Sequence, residues 1–100
     1  MLDRTAMDMV KAVTDRLCSV AVSHAGIAAP HDAALGTVTR YLPRLLDALA
    51  AGLVTEREVA GAIAGRFEDW LMESAGRGFP GAPPSWTVAV DEVEAILRTR

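Results

Sequence analysis

The sequence predicts an all-α fold: a small bundle of about four helices, the second kinked at Pro43, with a glycine- and proline-rich loop before the last. Three observations lead there. Apolar residues recur at steps of three and four along three long stretches. Gly26, Gly52 and Gly76 stand just past those stretches, where a residue in the left-handed conformation commonly ends a helix. The one segment that could read as a strand, 86–90, has no second strand in the chain to pair with. A single helical domain over residues 1–100 is therefore expected, with 76–84 as an internal loop.

The first helix runs from Asp3 to about Ser23. Ala6, Val10, Val13, Leu17, Val20 or Ala21, and His24 form one stripe, with Asp8, Lys11, Asp15 and Ser19 turned away. Arg4–Asp8 and Lys11–Asp15 have the four-residue spacing at which a pair adds roughly 0.2–0.5 kcal/mol. His24 falls where it could meet the last carbonyls of the helix. After a short connection holding Pro30, Asp32 is a good cap for the second helix. Its stripe is Leu35, Val38, Leu42, Leu45 and Leu49, with Leu46 beside it. Pro43 cannot donate to the carbonyl of Thr39, which normally kinks a helix or breaks it at a cost of about 3 kcal/mol. The stripe nevertheless keeps its phase, so one bent element or two short helices meeting near Tyr41 are expected.

Thr55 and Glu58 form a capping box, and Val54 with Val59 fits the accompanying hydrophobic staple. The third helix then buries Val59, Ile63, Phe67 with Trp70, and Leu71. Gly61 and Gly65 each cost about 1 kcal/mol relative to alanine in a helix interior. Four apart and on one side, they predict a flat strip against a neighbouring backbone, with a local helix bend as the alternative. The last helix starts at about Ser85, with Trp86, Ala89 or Val90, Val93, Ile96 and Leu97 on its face and Glu94–Arg98 as a pair. The competing reading is an extended 86–90 followed by a two-turn helix capped by Asp91.

Composition narrows the function. The chain carries ten basic and thirteen acidic residues, for a net charge of −3, the wrong balance for a cationic nucleic-acid binder. It has no asparagine or glutamine, the amides that read adenine edges. Eighteen residues are alanine, so the larger side chains available for a core are fewer than the 51% apolar fraction suggests. A second copy or a partner could supply additional burial. Cys18 is the sole cysteine, which rules out an internal disulfide and fits a reducing, cytoplasmic setting. Asp3, Arg4 and Asp8 interrupt the uncharged run a secretory leader would need, and no run is long enough for a transmembrane helix.

Each candidate motif weakens in context. Gly76-Arg-Gly78-Phe-Pro-Gly81 matches a dinucleotide fingerprint in letters, but that fingerprint needs a strand before it and a helix after it. Arg77, Pro80 and Pro83 are spaced like a polyproline ligand, a spacing that arises easily in a connecting loop. A helix-turn-helix over 53–71 would turn at Ala64–Gly65 and read DNA with Arg66 among Glu68, Asp69 and Glu73, which present the wrong sign to phosphates. Cys18, His24, His31 and Asp32 lack metal-site spacing. The clusters Glu68–Asp69–Glu73 and Asp91–Glu92–Glu94 show no facing pair across a cleft.

The expectation is a non-catalytic helical protein-interaction module: a regulator, inhibitor, adaptor or subunit. It needs no metal or cofactor, and its partner is another protein or a second copy of itself. Trp70, Trp86, Met72 and Phe79 are the candidate partner-binding residues, with Glu68, Asp69, Glu73 and Arg77 around them. Tryptophan is enriched at binding hot spots and methionine at adaptable interfaces, and with Met7 and Met9 these side chains exceed what so small an interior must hold; the alternative is that Trp70 and Trp86 pack together inside. The alternatives are an acidic nucleic-acid mimic, if the two acidic clusters merge into one patch, and a helix-turn-helix DNA-binding regulator.

Overall fold

The computed structural model describes residues 4–75 and 87–99. It is an all-α bundle of four helices: α1 (Arg4–Ala25), α2 (His31–Ala50), α3 (Glu56–Ala75) and α4 (Thr87–Arg98). The helices form a ring in which α1 packs on α2 and α4, and α3 packs on the same two. Among the described residues there is no strand, and no helix is long and apolar enough to cross a membrane.

The three-four periodicity becomes the core. Val10, Val13, Leu17, Val20 and Ala21 of α1 meet Val38, Leu42 and Leu49 of α2, Val59, Ile63, Phe67 and Leu71 of α3, and Ala89, Val93 and Leu97 of α4. The large apolar side chains among them contribute about 1.5–3 kcal/mol each on leaving water. Small residues complete the interior: Ala34, Ala60 and Ala64 are fully or almost fully buried, and they let the helices approach. Among the described residues Thr14 is the buried polar one, and its hydroxyl donates to the Val10 carbonyl at 2.7 Å. That bond satisfies a group that would otherwise be costly to desolvate.

The helix ends follow local chemistry. Gly26 (φ 67°) and Gly52 (φ 75°) take the left-handed conformation expected of them. After α2, the Gly52 N–H donates to Leu49 and the Leu53 N–H to Ala48 (3.1 and 3.0 Å), a Schellman pair that occupies two end carbonyls. The capping box of α3 forms in both directions. The Thr55 hydroxyl accepts the Glu58 N–H at 3.1 Å, and the Glu58 carboxylate accepts the Thr55 N–H at 3.0 Å. Val54 packs against the core to which Val59 belongs, as the staple requires.

Several local expectations are corrected. Asp32 is not the cap of α2: the helix starts one residue earlier, Pro30 stands at the cap position, and no side chain caps it. Pro30, with φ at −62°, already has the backbone angle a helix entry needs. Asp32 lies in the first turn, where a carboxylate still suits the helix dipole. Of the two readings for Pro43, the single element is the one found: Pro43 lies inside one unbroken helix, and no pair of short helices meets near Tyr41. Thr39, whose carbonyl loses its helical donor there, is exposed, so water can replace that donor.

Gly61 and Gly65 do not face a neighbouring backbone. Both are exposed, and a Cβ built on either meets nothing within 4 Å. Helix α4 is continuous from Thr87, so Asp91 is interior rather than a cap. His24 leaves the stripe: burial on α1 ends at Ala21, and Val22, Ser23 and His24 are exposed.

Candidate functional site

Among the described residues, polar side-chain contacts cross three of the four seams of the ring, a histidine–carboxylate contact at one and arginine–carboxylate ion pairs at two. Asp15 of α1 meets His31 of α2 at 2.6 Å. Arg16 of α1 meets Glu92 of α4 at 3.1 Å. Arg57 of α3 bridges Asp91 and Glu94 of α4 at 2.5 and 3.1 Å, and Arg98 grips the other oxygen of Glu94 at 2.7 Å. Together Arg98 and then Arg57 hold the Glu94 carboxyl below the usual carboxylate range. The Glu94–Arg98 pair is the one expected from spacing. Arg4–Asp8 and Lys11–Asp15 are not among the ion pairs of the described residues, and Asp15 turns to His31 instead.

The α2–α3 seam is built differently. Among the described residues no ion pair crosses it. A cleft of about 460 Å³ lies there, lined by Arg40, Tyr41, Arg44, Leu45, Ala62 and Arg66. A second hollow of about 240 Å³ shares Arg40, Tyr41 and Arg66 and adds Thr37, Asp69, Trp70 and Glu73. The guanidiniums of Arg66 and Arg40 sit 5.0 and 5.8 Å from the centre of the Tyr41 ring, within reach of a cation–π attraction. Trp70 leans on the buried Phe67, with ring centres 5.4 Å apart and tilted by 55°, and is itself half-buried.

Helical geometry explains the grouping. Arg40, Tyr41 and Arg44 occupy one flank of α2, and Ala62, Arg66, Asp69, Trp70 and Glu73 recur at three- and four-residue steps along the facing flank of α3. The two helices run antiparallel, so Leu45 shares the first hollow with Ala62, and Thr37 shares the second with Asp69, Trp70 and Glu73. The groove thus carries Arg44 at one end and Asp69 and Glu73 toward the other, with Arg40 and Arg66 between them and lining both hollows.

Of the expected partner-binding residues, the structure brings together Trp70, Asp69 and Glu73. Glu68 and Met72 lie eleven and fifteen residues beyond Arg57, which places them on the α4 flank of α3 instead. Met72 is 40% exposed. Burial and then the neighbouring Asp69 push the Glu68 carboxyl up from its ordinary value. Trp86, Phe79 and Arg77, with the whole 76–84 loop, lie outside the described residues. The methionine surplus shrinks, because Met9 is buried and Met7 half-buried.

Arg40, Tyr41, Arg44 and Arg66 were not singled out by sequence reasoning as a group. One signal was present: Arg40 and Arg44 are like charges four apart on a helix, a mildly destabilising spacing, beside the chain's only tyrosine.

The same geometry bears on the other chemistries. The carboxylates of α4 are engaged by Arg16, Arg57 and Arg98, while Asp69 and Glu73 line the α2–α3 hollow. Ala64 and Gly65 lie within α3, where a helix-turn-helix would need its turn. Cys18 is half-buried, and burial followed by Asp15 pushes its thiol pKa up, away from the reactive thiolate. Among the described residues no three His, Cys, Asp or Glu side chains converge to hold a metal.

Comparison with known proteins returned no matching family model, no similar curated protein and no similar solved structure.

Proposed function

We propose that this chain is a non-catalytic helical interaction protein that works through the groove between α2 and α3. One observation carries the reading: tryptophan, tyrosine and arginine, the residue types enriched at interface hot spots, converge on the one seam that neither an ion pair nor a histidine–carboxylate contact crosses among the described residues. Arg16, Arg57 and Arg98 are each neutralised by a carboxylate within 3.1 Å. Arg40, Arg44 and Arg66 have no such partner among the described residues. Trp70 and Tyr41 supply rigid, half-buried aromatic surface between them. A protein partner covering this groove would desolvate both rings and meet the unpaired guanidiniums with acceptors.

The test is affinity capture with the tagged chain and two groove variants, Arg44→Glu and Arg66→Glu, beside the off-groove variant Val22→Ser. Val22 is exposed on α1, away from the groove. A bound protein, including an untagged copy of the chain, should be retained by Val22→Ser and lost by both groove variants. Capture that is identical across all the variants, or no capture at all, refutes the reading.

A further inference from the structure

The charge along the groove is not uniform, and its arrangement selects an occupant. Arg44 lines only the hollow at the Ala62 end, Asp69 and Glu73 line only the one at the Thr37 end, and Arg40 and Arg66 stand between them and line both. Arg66 and Asp69 are three residues apart on α3, about 4.5 Å along its axis at 1.5 Å per residue. A uniformly acidic partner would meet Asp69 and Glu73 unfavourably, and a uniformly basic one would meet the arginines unfavourably. A surface that is positive at one end and negative at the other is complementary to itself turned end for end, which is the condition an isologous two-fold interface imposes.

From this, and resting on the reading of the groove as the working surface, we infer that the α2–α3 face pairs with a second copy of this chain. The two-fold axis crosses the groove between Arg66 and Asp69. It places Arg66 of each copy against Asp69 of the other, brings the two pairs of aromatic rings to the centre, and carries Glu73 of each copy toward the Arg44 end of the other. A seam that lacks ion pairs within one copy acquires them between two.

The size of the face agrees. Two twenty-residue helices lying side by side present a surface about 30 Å long and about 20 Å wide. Full coverage buries about 600 Å² per copy, or about 1,200 Å² in total, at the lower edge of stable specific interfaces. Such a dimer is weak and is held in register by charge, so it should respond to ionic strength.

Sedimentation equilibrium of the full chain, from micromolar to millimolar and at low and high salt, tests the inference. The wild type should dimerise, more tightly at low salt. Arg66→Glu and Asp69→Arg should each weaken dimerisation at least about tenfold, because each homodimer then opposes like charges twice. Both positions are exposed, and far-UV circular dichroism checks that the variants are folded. An equimolar mixture of the two variants should regain dimer. In the mixed pair the introduced glutamate of one copy faces the introduced arginine of the other, and the native Arg66 and Asp69 that remain face each other. A general loss of structure or of stickiness would not produce that rescue. A wild type that stays monomeric at millimolar concentration, variants that dimerise like the wild type, or a mixture that stays monomeric overturns the inference. If the chain is monomeric but Arg66→Glu abolishes capture of a different protein, the second copy is the wrong occupant while the groove remains the interaction surface. If neither occurs, both readings fail.

Discussion

Replacing Gly61 and Gly65 with alanine separates two opposite accounts of α3. If a neighbouring backbone packed on these positions, each new methyl would clash and the protein would lose stability. The structure predicts the reverse. Both residues are inside α3, neither has a positive φ, and a Cβ at either meets nothing within 4 Å. The gain is then that of alanine over glycine in an exposed helix interior, about 0.8–1 kcal/mol per site, arising chiefly from the reduced freedom of the unfolded chain. The pair should contribute about 1.5–2 kcal/mol. For a domain of this size each kcal/mol raises the melting temperature by about 4–8 °C, so the double variant should melt about 6–16 °C higher. Urea denaturation followed at 222 nm should show a higher midpoint with an unchanged slope, as expected when the exposed area is unaltered. Both positions lie on α3 away from the α2 flank, so dimerisation should be unaffected. A lower midpoint for either single variant would refute the open placement of these glycines.

Other perturbations have equally definite outcomes. Thr55→Ala removes one half of the capping box and should cost about 1 kcal/mol, read as a lower urea midpoint; an unchanged midpoint would mean the reciprocal bonds contribute nothing. Phe67→Ala empties a fully buried position beside Trp70 and should cost about 3–5 kcal/mol, a large fraction of the roughly 5–15 kcal/mol by which a domain of this size is stable. Circular dichroism and Trp fluorescence would report it. Acid should act through Glu94. Its folded pKa lies below its ordinary value of 4.5, so its contribution is complete above pH 4.5 and is lost as the pH falls through the folded value. Glu68 has the opposite sign, because its folded pKa is raised: it takes stability away as the pH rises above 4.5. Urea midpoints between pH 3 and 7 should therefore show a shallower acid limb for Glu94→Gln and a higher neutral plateau for Glu68→Gln.

The local rules were written plainly in the chain. The Thr55–Glu58 box, the left-handed Gly26 and Gly52 and the Glu94–Arg98 pair each depend on a few neighbouring residues, so a linear reading reaches them. The stripes of α1, α2 and α3 were legible for the same reason, because helical periodicity alone decides which side chains share a face. Where that reading failed, the deciding partner lay elsewhere in the chain. Spacing places Gly61 and Gly65 together but cannot say whether another helix covers them. His24 continues the phase of α1 past Ala21, after which Val22, Ser23 and His24 are exposed. Lys11 is a local partner for Asp15, yet His31 on the next helix is the one that Asp15 meets.

The candidate site shows the same division. Trp70, Asp69 and Glu73 could be nominated from composition, whereas Arg40, Tyr41 and Arg44 belong with them only because α2 returns antiparallel beside α3. By itself the sequence determined four amphipathic segments, most of their ends and an apolar stripe on each, since hydrogen bonding and burial along a helix are set by residues within a few positions. Only the tertiary structure decided which flanks meet, which charges cancel across a seam and which stay uncompensated. Coulomb attraction and packing act through space between residues far apart in the chain, and the order of the amino acids does not state those distances.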